Sequence, residues 1–162
     1  MKLPDDVASL AKDTIAALKS AGMTIATAES CTGGLIAGAL TSVSGSSDVV
    51  YGGFVTYANE AKISMIGVPF GLLRQYGAVS EEVAMAMADG ALAAAGTHIA
   101  VAVTGIAGPN GGSAEKPVGL VHFAVATEDG TTHLRKVFPG SRDEVRQATV
   151  IQALKLVLKA IG

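Results

Sequence analysis

A run of five apolar residues, 99–103 (IAVAV), constrains the fold more than any other segment of the sequence. Because the run has no alternating polar residues, both of its faces must be buried, as in a central strand whose sheet is covered by helices on both sides. A helical pattern that stops at Gly96 precedes the run, and a Gly-rich loop follows it. This arrangement favours a layered α/β fold.

Patterns along the rest of the chain predict helices and strands in alternation. Helices are expected at 7–18 (capped by Asp5 or Asp6), 35–40, 60–66, 69–76, 80–96 (with Ser80 as N-cap) and from a capping box at 141–144 to residue 161. Strands are expected at 24–28, 49–57 (bulged at 52–53), 99–103, 118–126 and 132–138, the last two forming a hairpin. This order predicts a three-layer α/β/α sandwich with a mixed central sheet.

Length and composition narrow the class of protein further. The chain has 162 residues, close to the commonest domain size, and no repeat or long linker, so residues 1–162 are expected to form a single domain. Hydrophobic residues make up 49% and charged residues 16%, which excludes intrinsic disorder. With 12 basic and 14 acidic side chains and no basic run, the protein is not expected to bind nucleic acid or an anionic membrane.

The sequence contains no signal peptide and no uninterrupted apolar helix, so a soluble cytoplasmic protein is expected. Its low charge and mean hydropathy of +0.45 predict that another subunit covers part of the surface, and hence a homo-oligomer.

Cys31 is the single cysteine, and the three histidines are scattered and expected to be ordinary strand residues, so no metal site is predicted. The phosphate fingerprints GxxxxGK[ST] and GxGxxG and the nucleophile elbow GxSxG are all absent.

Three polar segments each follow a predicted strand, at residues 28–34, 57–62 and 105–112, and the first and the third contain several glycines. In open α/β sheets, ligands bind beyond the carboxyl ends of the strands, so these segments are expected to converge on one site. Glycines there let backbone amides approach a ligand closely, although each loop taken alone is equally well explained as a tight turn.

Residue chemistry leaves two adjacent candidates for a nucleophile. Cys31 precedes a predicted helix, whose N-terminus would lower the thiol pKa, and residue types alone narrowly favour it. Ser30 needs a base, and because no histidine lies in the three loops, that base would have to be Lys62. A lysine acts as a base only when burial or a neighbouring cation lowers its pKa.

The strings TAESCTGGLIAGAL, GSS, FVTYANEAK, GAVSEEVA, AVTGIAGPNGG, EKPVG and SRDEVR, in this order, resemble the CinA C-terminal domain family in its stand-alone form, the nicotinamide-nucleotide amidases. The resemblance implies hydrolysis of the carboxamide of nicotinamide mononucleotide, giving nicotinate mononucleotide and ammonia, without a metal or organic cofactor. It implies Ser30 as nucleophile, Lys62 as base, Tyr57 as proton relay and Thr104 as an aid to the oxyanion. This moves the choice of nucleophile from Cys31 to Ser30.

The remaining predicted contacts concern substrate binding. Backbone N–H groups of the first loop would stabilise the oxyanion, and an amide nest or an arginine would hold the 5′-phosphate. The predicted binding residues are Glu29, Cys31, Thr32, Gly33, Gly34, Ser46, Ser47, Gly105, Gly108, Gly112, Arg142 and Arg146. The chain has Gly-Ser-Arg before its last helix, where the family usually has Gly-Asp-Arg. Two alternatives stay open: a non-catalytic nucleotide-binding or partner-docking domain, and an amidase that uses Cys31 on another amide.

Overall fold

A computed structural model describes residues 1–162, and its strands form one five-stranded sheet with the order β2-β1-β3-β4-β5. The strands are β1 (Ile25–Glu29), β2 (Val50–Val55), β3 (Ile99–Gly105), β4 (Leu120–Thr127) and β5 (Gly130–Val137). Strands β1, β2 and β3 run parallel to one another, whereas β4 and β5 are antiparallel to their neighbours. The predicted mixed sheet is confirmed, with the apolar run 99–103 inside its central strand.

Helices cover both faces of the sheet, which confirms the predicted three layers. The helices are α1 (Asp5–Ala21), α2 (Leu35–Thr41), α3 (Asn59–Ile66), α4 (Phe70–Tyr76), α5 (Glu81–Ala95) and α6 (Arg142–Ile161), and a short 3-10 helix spans Ser46–Asp48. Helices α1, α2 and α6 pack together in one layer, and α3 and α4 pack against α5 in the other. None of the helices combines the length and the apolar character that a membrane span requires.

The two faces of the sheet carry side chains of different size. On β3, the side chains of Ile99, Val101 and Val103 enter the larger core beneath α1, α2 and α6. The alternate residues Ala100 and Ala102 face α5, and they join a second core that is rich in alanine. Because only small side chains lie between α5 and the sheet, the helix packs close to the sheet, and the loops at the ends of α5 lie near the strand ends.

Several local predictions can be compared with the structure. Ser80 and Ser141 cap α5 and α6, and Ser141 forms the predicted capping box with Glu144. The predicted cap of α1 was wrong, because Pro4 is its N-cap residue and Asp5 and Asp6 lie in the first helical turn. The irregularity in β2 falls between residues 50 and 52, slightly before the predicted bulge. His98 precedes β3, so only the other two histidines are strand residues.

Gly90 of α5 is the position at which the two helices α3 and α5 leave no space for a side chain. A Cβ atom there would lie 1.8 Å from the backbone oxygen of Ile66, whereas a Cβ atom at Gly38 of α2 would meet nothing within 4 Å. We expect Gly90→Ala to lower the free energy of unfolding by about 1–3 kcal/mol, since α3 must move away. Gly38→Ala is the control, and it should stabilise the protein by up to about 1 kcal/mol. Urea unfolding of both variants tests this, and equal stability would contradict the close packing.

Candidate active site

The candidate site lies where three parallel strands end. Beyond Glu29, the last residue of β1, the Ser30 N–H donates to the carbonyl of Val103 on β3 (3.1 Å). On the other side, the Thr56 N–H that follows β2 donates to the Glu29 carbonyl (2.8 Å). A cleft of about 280 Å³ opens at this edge of the sheet. Its walls come from Ser30, Cys31, Tyr57, Asn59, Lys62, Ala78, Val79, Thr104, Gly105, Ile106, Ala107, Gly108, Asn110, Gly111 and Arg142.

Ser30 and Lys62 are in direct contact in this cleft. Lys62 Nζ lies 3.0 Å from Ser30 Oγ, and it also donates to the backbone carbonyls of Thr56 (2.8 Å) and Tyr57 (3.2 Å). The Lys62 side chain is only 1% exposed. It lies on the buried side of the short helix α3, one turn before Ile66, which packs into the alanine-rich core.

The environment of Lys62 shifts its protonation toward the neutral amine. Burial lowers the pKa of Lys62 below its ordinary value of 10.5, because the charged form loses its hydration. The nearest polar partners are two carbonyls and a hydroxyl, and no carboxylate forms an ion pair with Lys62. A neutral amine has two N–H groups, which match the two carbonyls, and one lone pair, which is then free to accept the Ser30 proton.

Glu29 is the buried neighbour of Ser30, and it has a different partner. Because side chains alternate along β1, Glu29 faces α2 whereas Ser30 faces α3. The Glu29 carboxylate is fully buried and accepts hydrogen bonds from the N–H groups of Ile36 (2.9 Å) and Ala37 (3.0 Å) and from the Thr32 hydroxyl (2.6 Å). Glu29 and Thr32 therefore hold the start of α2, and neither lines the cleft.

Cys31 lines the cleft but does not have the environment of a reactive thiol. It is 6% exposed, and burial raises its pKa from 9.0 to about 12. The expectation that the start of α2 would lower this pKa was wrong. The main physical reason is burial, which disfavours the charged thiolate. In addition, the Glu29 carboxylate accepts from the free N–H groups of that helix and brings a negative charge close to the thiol.

Tyr57 and Arg142 form the mouth of the cleft. The Arg142 guanidinium donates to the Gly108 carbonyl (2.8 Å) and to the Tyr57 hydroxyl (3.3 Å), and the Tyr57 side chain is 62% exposed. The Tyr57 hydroxyl thus contacts Arg142, while its backbone carbonyl contacts Lys62. Thr104 lines the floor, and its hydroxyl donates to the Ala78 carbonyl (2.9 Å).

Half of the predicted site residues line the cleft and half do not. Those that line it are Ser30, Cys31, Tyr57, Lys62, Thr104, Gly105, Gly108 and Arg142. Those that do not are Glu29, Thr32, Gly33, Gly34, Ser46, Ser47, Gly112 and Arg146. Ser46 and Ser47 lie away from the cleft, because their 3-10 helix leads into the amino end of β2, whereas the cleft lies beyond the carboxyl ends of the strands.

Sequence reasoning did not select several residues that line the cleft. Asn59 and Asn110 lie inside two of the predicted loop segments, 57–62 and 105–112, and their carboxamides could have been recognised there as polar groups. Ala78 and Val79 belong to the connection between α4 and α5, and as apolar residues they carry no signal of a binding site. The chain folds this connection over the end of β3, a contact that only the tertiary structure reveals.

The fold and the site together define an α/β protein with a buried serine–lysine pair at the carboxyl edge of its sheet. The sequence model of the CinA C-terminal domain family matches residues 7–161, so the chain belongs to that family. A CinA-like protein of Mycobacterium sp. (strain JLS) is 52% identical over 154 residues, which are 94% of this chain and 36% of that protein. A CinA-like protein of Geobacter metallireducens is 54% identical over 142 residues, 87% of this chain and 34% of that protein.

Solved structures agree with this assignment. The competence/damage inducible protein of Agrobacterium tumefaciens superposes with a TM-score of 0.95 at 52% identity, covering 99% of both chains. A CinA superfamily protein of Klebsiella pneumoniae gives a TM-score of 0.92 at 34% identity, covering 96% of this chain and 97% of that one. The chain spans only about a third of the length of the curated relatives it matches.

Alkylation of Cys31 tests the environment of the thiol. A pKa of about 12 instead of 9.0 reduces the thiolate fraction near neutral pH about a thousandfold. We therefore expect iodoacetamide at pH 8 to modify Cys31 more slowly, by about a hundredfold or more, in the native protein than in 8 M urea. Mass spectrometry of timed samples measures both rates. Native alkylation as fast as that of the unfolded chain would restore Cys31 as a nucleophile.

Proposed function

We propose that the protein is an amidohydrolase that converts nicotinamide mononucleotide to nicotinate mononucleotide and ammonia. The observation that carries this proposal is the 3.0 Å contact between Ser30 Oγ and the buried amine of Lys62. A serine hydroxyl is a weak nucleophile by itself, and an adjacent base with a lowered pKa activates it. The choice of substrate rests on the resemblance to nicotinamide-nucleotide amidases.

The reaction proceeds through an acyl-enzyme. Ser30 Oγ attacks the carboxamide carbon while its proton passes to the lone pair of Lys62 Nζ. The tetrahedral intermediate collapses when Lys62 returns this proton to the leaving nitrogen, the C–N bond breaks and ammonia departs. Water then attacks the ester, gives a proton to Lys62, and the C–O bond to Ser30 breaks as the hydroxyl regains its proton. The balance requires only the amide and one water molecule.

The turn that follows Ser30 supplies an oxyanion donor in this proposal. The residue after the nucleophile, Cys31, lines the cleft, and its backbone N–H donates to no backbone carbonyl, so we assign this N–H to the developing negative charge. The N–H of Gly33 is not free, because it donates to the Ser30 carbonyl (3.0 Å). Thr104 orients the floor beside this turn through its hydrogen bond to Ala78.

The mouth of the cleft supplies the groups for substrate binding. We assign Tyr57 to stacking against the pyridine ring and not to proton relay, because its hydroxyl contacts Arg142 rather than Lys62. Arg142 is exposed at the mouth beside the Gly-rich loop, where it would bind the 5′-phosphate together with the backbone near Gly108 and Gly111. Ser46 and Ser47 have no part in this, because they lie at the amino end of β2, away from the cleft.

Ammonia release from nicotinamide mononucleotide tests the proposed reaction. We expect stoichiometric ammonia and nicotinate mononucleotide, with Ser30→Ala losing activity by about a thousandfold or more. Cys31→Ala is the matched control in the same turn, and it should retain activity to within about tenfold, since its thiol takes no part. If the folded wild-type protein binds the mononucleotide but releases no ammonia, the result would favour the non-catalytic binding domain. Activity in Ser30→Ala together with loss in Cys31→Ala would favour the cysteine amidase.

The pH dependence tests the role of Lys62. The amine must be neutral to accept the Ser30 proton, so kcat/KM should rise with pH and level off above the pKa of Lys62 in the folded protein. Because burial lowers the pKa of Lys62, the midpoint should lie below 10.5. Initial rates in overlapping buffers from pH 5 to 10 measure the profile, with circular dichroism as the control for folding. A Lys62→Met variant that keeps the wild-type rate and profile would exclude lysine as the base.

A further inference from the structure

The β3–β4 loop, residues 106–119, supplies one wall of the cleft. Two backbone hydrogen bonds close this loop at its base, from the Ile106 N–H to the Leu120 carbonyl (2.8 Å) and from the Gly119 N–H to the Ile106 carbonyl (2.8 Å). The loop is therefore a closed unit, and its place in the fold depends on its contacts with other segments. The residues of the loop that line the cleft are Ile106, Ala107, Gly108, Asn110 and Gly111.

Only two hydrogen bonds join residues 107–118 to the rest of the chain, and cationic side chains make both. Arg142, at the start of α6, donates to the Gly108 carbonyl (2.8 Å). Lys116 reaches out of the loop in the other direction, and its Nζ donates to the carbonyl of Tyr76, the last residue of α4. Because α6 and α4 belong to opposite helical layers, these two bonds tie the loop to both layers.

Both ends of the Lys116 contact are fixed by their surroundings. On the loop side, a turn holds the backbone of Lys116, whose carbonyl accepts from the Ser113 N–H (2.7 Å) and whose N–H donates to the Ser113 hydroxyl (3.0 Å). On the helix side, a Cβ atom at Gly77 would lie 2.9 Å from Lys116 Nζ, so this glycine leaves the space that the ammonium group fills. A cation at the last carbonyl of a helix is also favourable electrostatically.

The other end of this contact belongs to a second wall of the cleft. The connection between α4 and α5 begins after Tyr76, and its residues 78–79 line the cleft. Its path is fixed by the successive carbonyls of residues 76–78, which accept from the side chains of Lys116, Ser80 and Thr104. Of these three donors, only Lys116 comes from the β3–β4 loop. Lys116 therefore links two walls of the cleft, although it does not line the cleft itself.

We propose that Lys116 is a positioning residue for substrate binding, which holds the β3–β4 loop against the α4–α5 connection and so sets the spacing of these two walls. The inference rests on the proposed function, because that proposal assigns the backbone near Gly108 and Gly111 to the 5′-phosphate. A ligand that must also order a loosened loop binds more weakly. The contacts between Ser30 and Lys62 do not involve the loop, so the chemical step keeps its rate.

Substitution of Lys116 tests this role through the division between KM and kcat. Lys116→Met keeps the apolar stem and removes the charged donor. It should raise KM for nicotinamide mononucleotide, and the calorimetric Kd for nicotinate mononucleotide, about three- to tenfold, while kcat changes less than about twofold. Lys116→Arg keeps a charged donor and should recover part of the affinity. Lys136→Met, which removes an exposed charge on β5, is the matched control and should have no effect.

Hydrogen exchange followed by mass spectrometry gives a readout that does not depend on any substrate. In Lys116→Met, peptides that cover residues 106–119 and 76–80 should exchange about fivefold or more faster than in the wild-type protein. Peptides that cover β1 and residues 30–34 should exchange at the wild-type rate, since Lys116 makes no hydrogen bond to them. If Lys116→Met does not fold, Lys116→Gln takes its place with the same expected results.

Several outcomes would overturn the inference. Wild-type exchange and KM in Lys116→Met would show that the contact holds nothing, and faster exchange with unchanged KM and Kd would make it structural only. A higher KM with unchanged exchange would mean that the lysine charge acts on the phosphate without the loop. A lower kcat with unchanged KM, or an equal effect of Lys136→Met, would also count against it. A wild-type protein that neither releases ammonia nor binds nicotinate mononucleotide would contradict the proposed function itself, and hydrogen exchange would still test the contact.

Discussion

The buried contact between Lys62 and Ser30 is the interaction on which the geometry of the candidate site depends. A lysine amine that is 1% exposed loses most of its hydration, and only the carbonyls of Thr56 and Tyr57 and the Ser30 hydroxyl replace it. These partners carry no negative charge that would offset an ammonium ion, so burial lowers the pKa of Lys62. The segment 56–62 must therefore close over the end of β1, and this closure forms one wall of the cleft.

The alternation of side chains along β1 divides the polar residues between two tasks. Glu29 faces α2 and satisfies the free N–H groups at the start of that helix, while Ser30 faces α3 and contacts Lys62. A shift of one residue in the register of β1 would exchange these partners. Hydrogen bonds to β3 and to the segment after β2 hold this register on both sides of the strand end.

The sequence suggests Arg146 as a substrate ligand and Cys31 as a nucleophile, but the contacts of both residues in the fold do not match these roles. Arg146 donates to the backbone of the turn that follows Ser30, and Cys31 is buried beside a carboxylate that raises its pKa further. In both cases the residue type could serve in binding or catalysis, but the neighbouring groups in the folded protein decide what the side chain does. The same holds for Tyr57, whose carbonyl and hydroxyl have different partners at the base and the mouth of the cleft.

The sequence by itself determined the elements, the three layers and the edge of the sheet where the loops meet, because apolar periodicity and capping residues are local signals. It also placed Ser30 and Lys62 together, through the resemblance to a family rather than through residue chemistry, which narrowly favoured Cys31. Only the tertiary structure decided which residues line the cleft. It places Ser46 and Ser47 at the amino end of β2, away from the cleft, and it places Ala78 in the cleft wall. The physical reason is that burial, pKa and hydrogen-bond partners depend on neighbours distant in the chain.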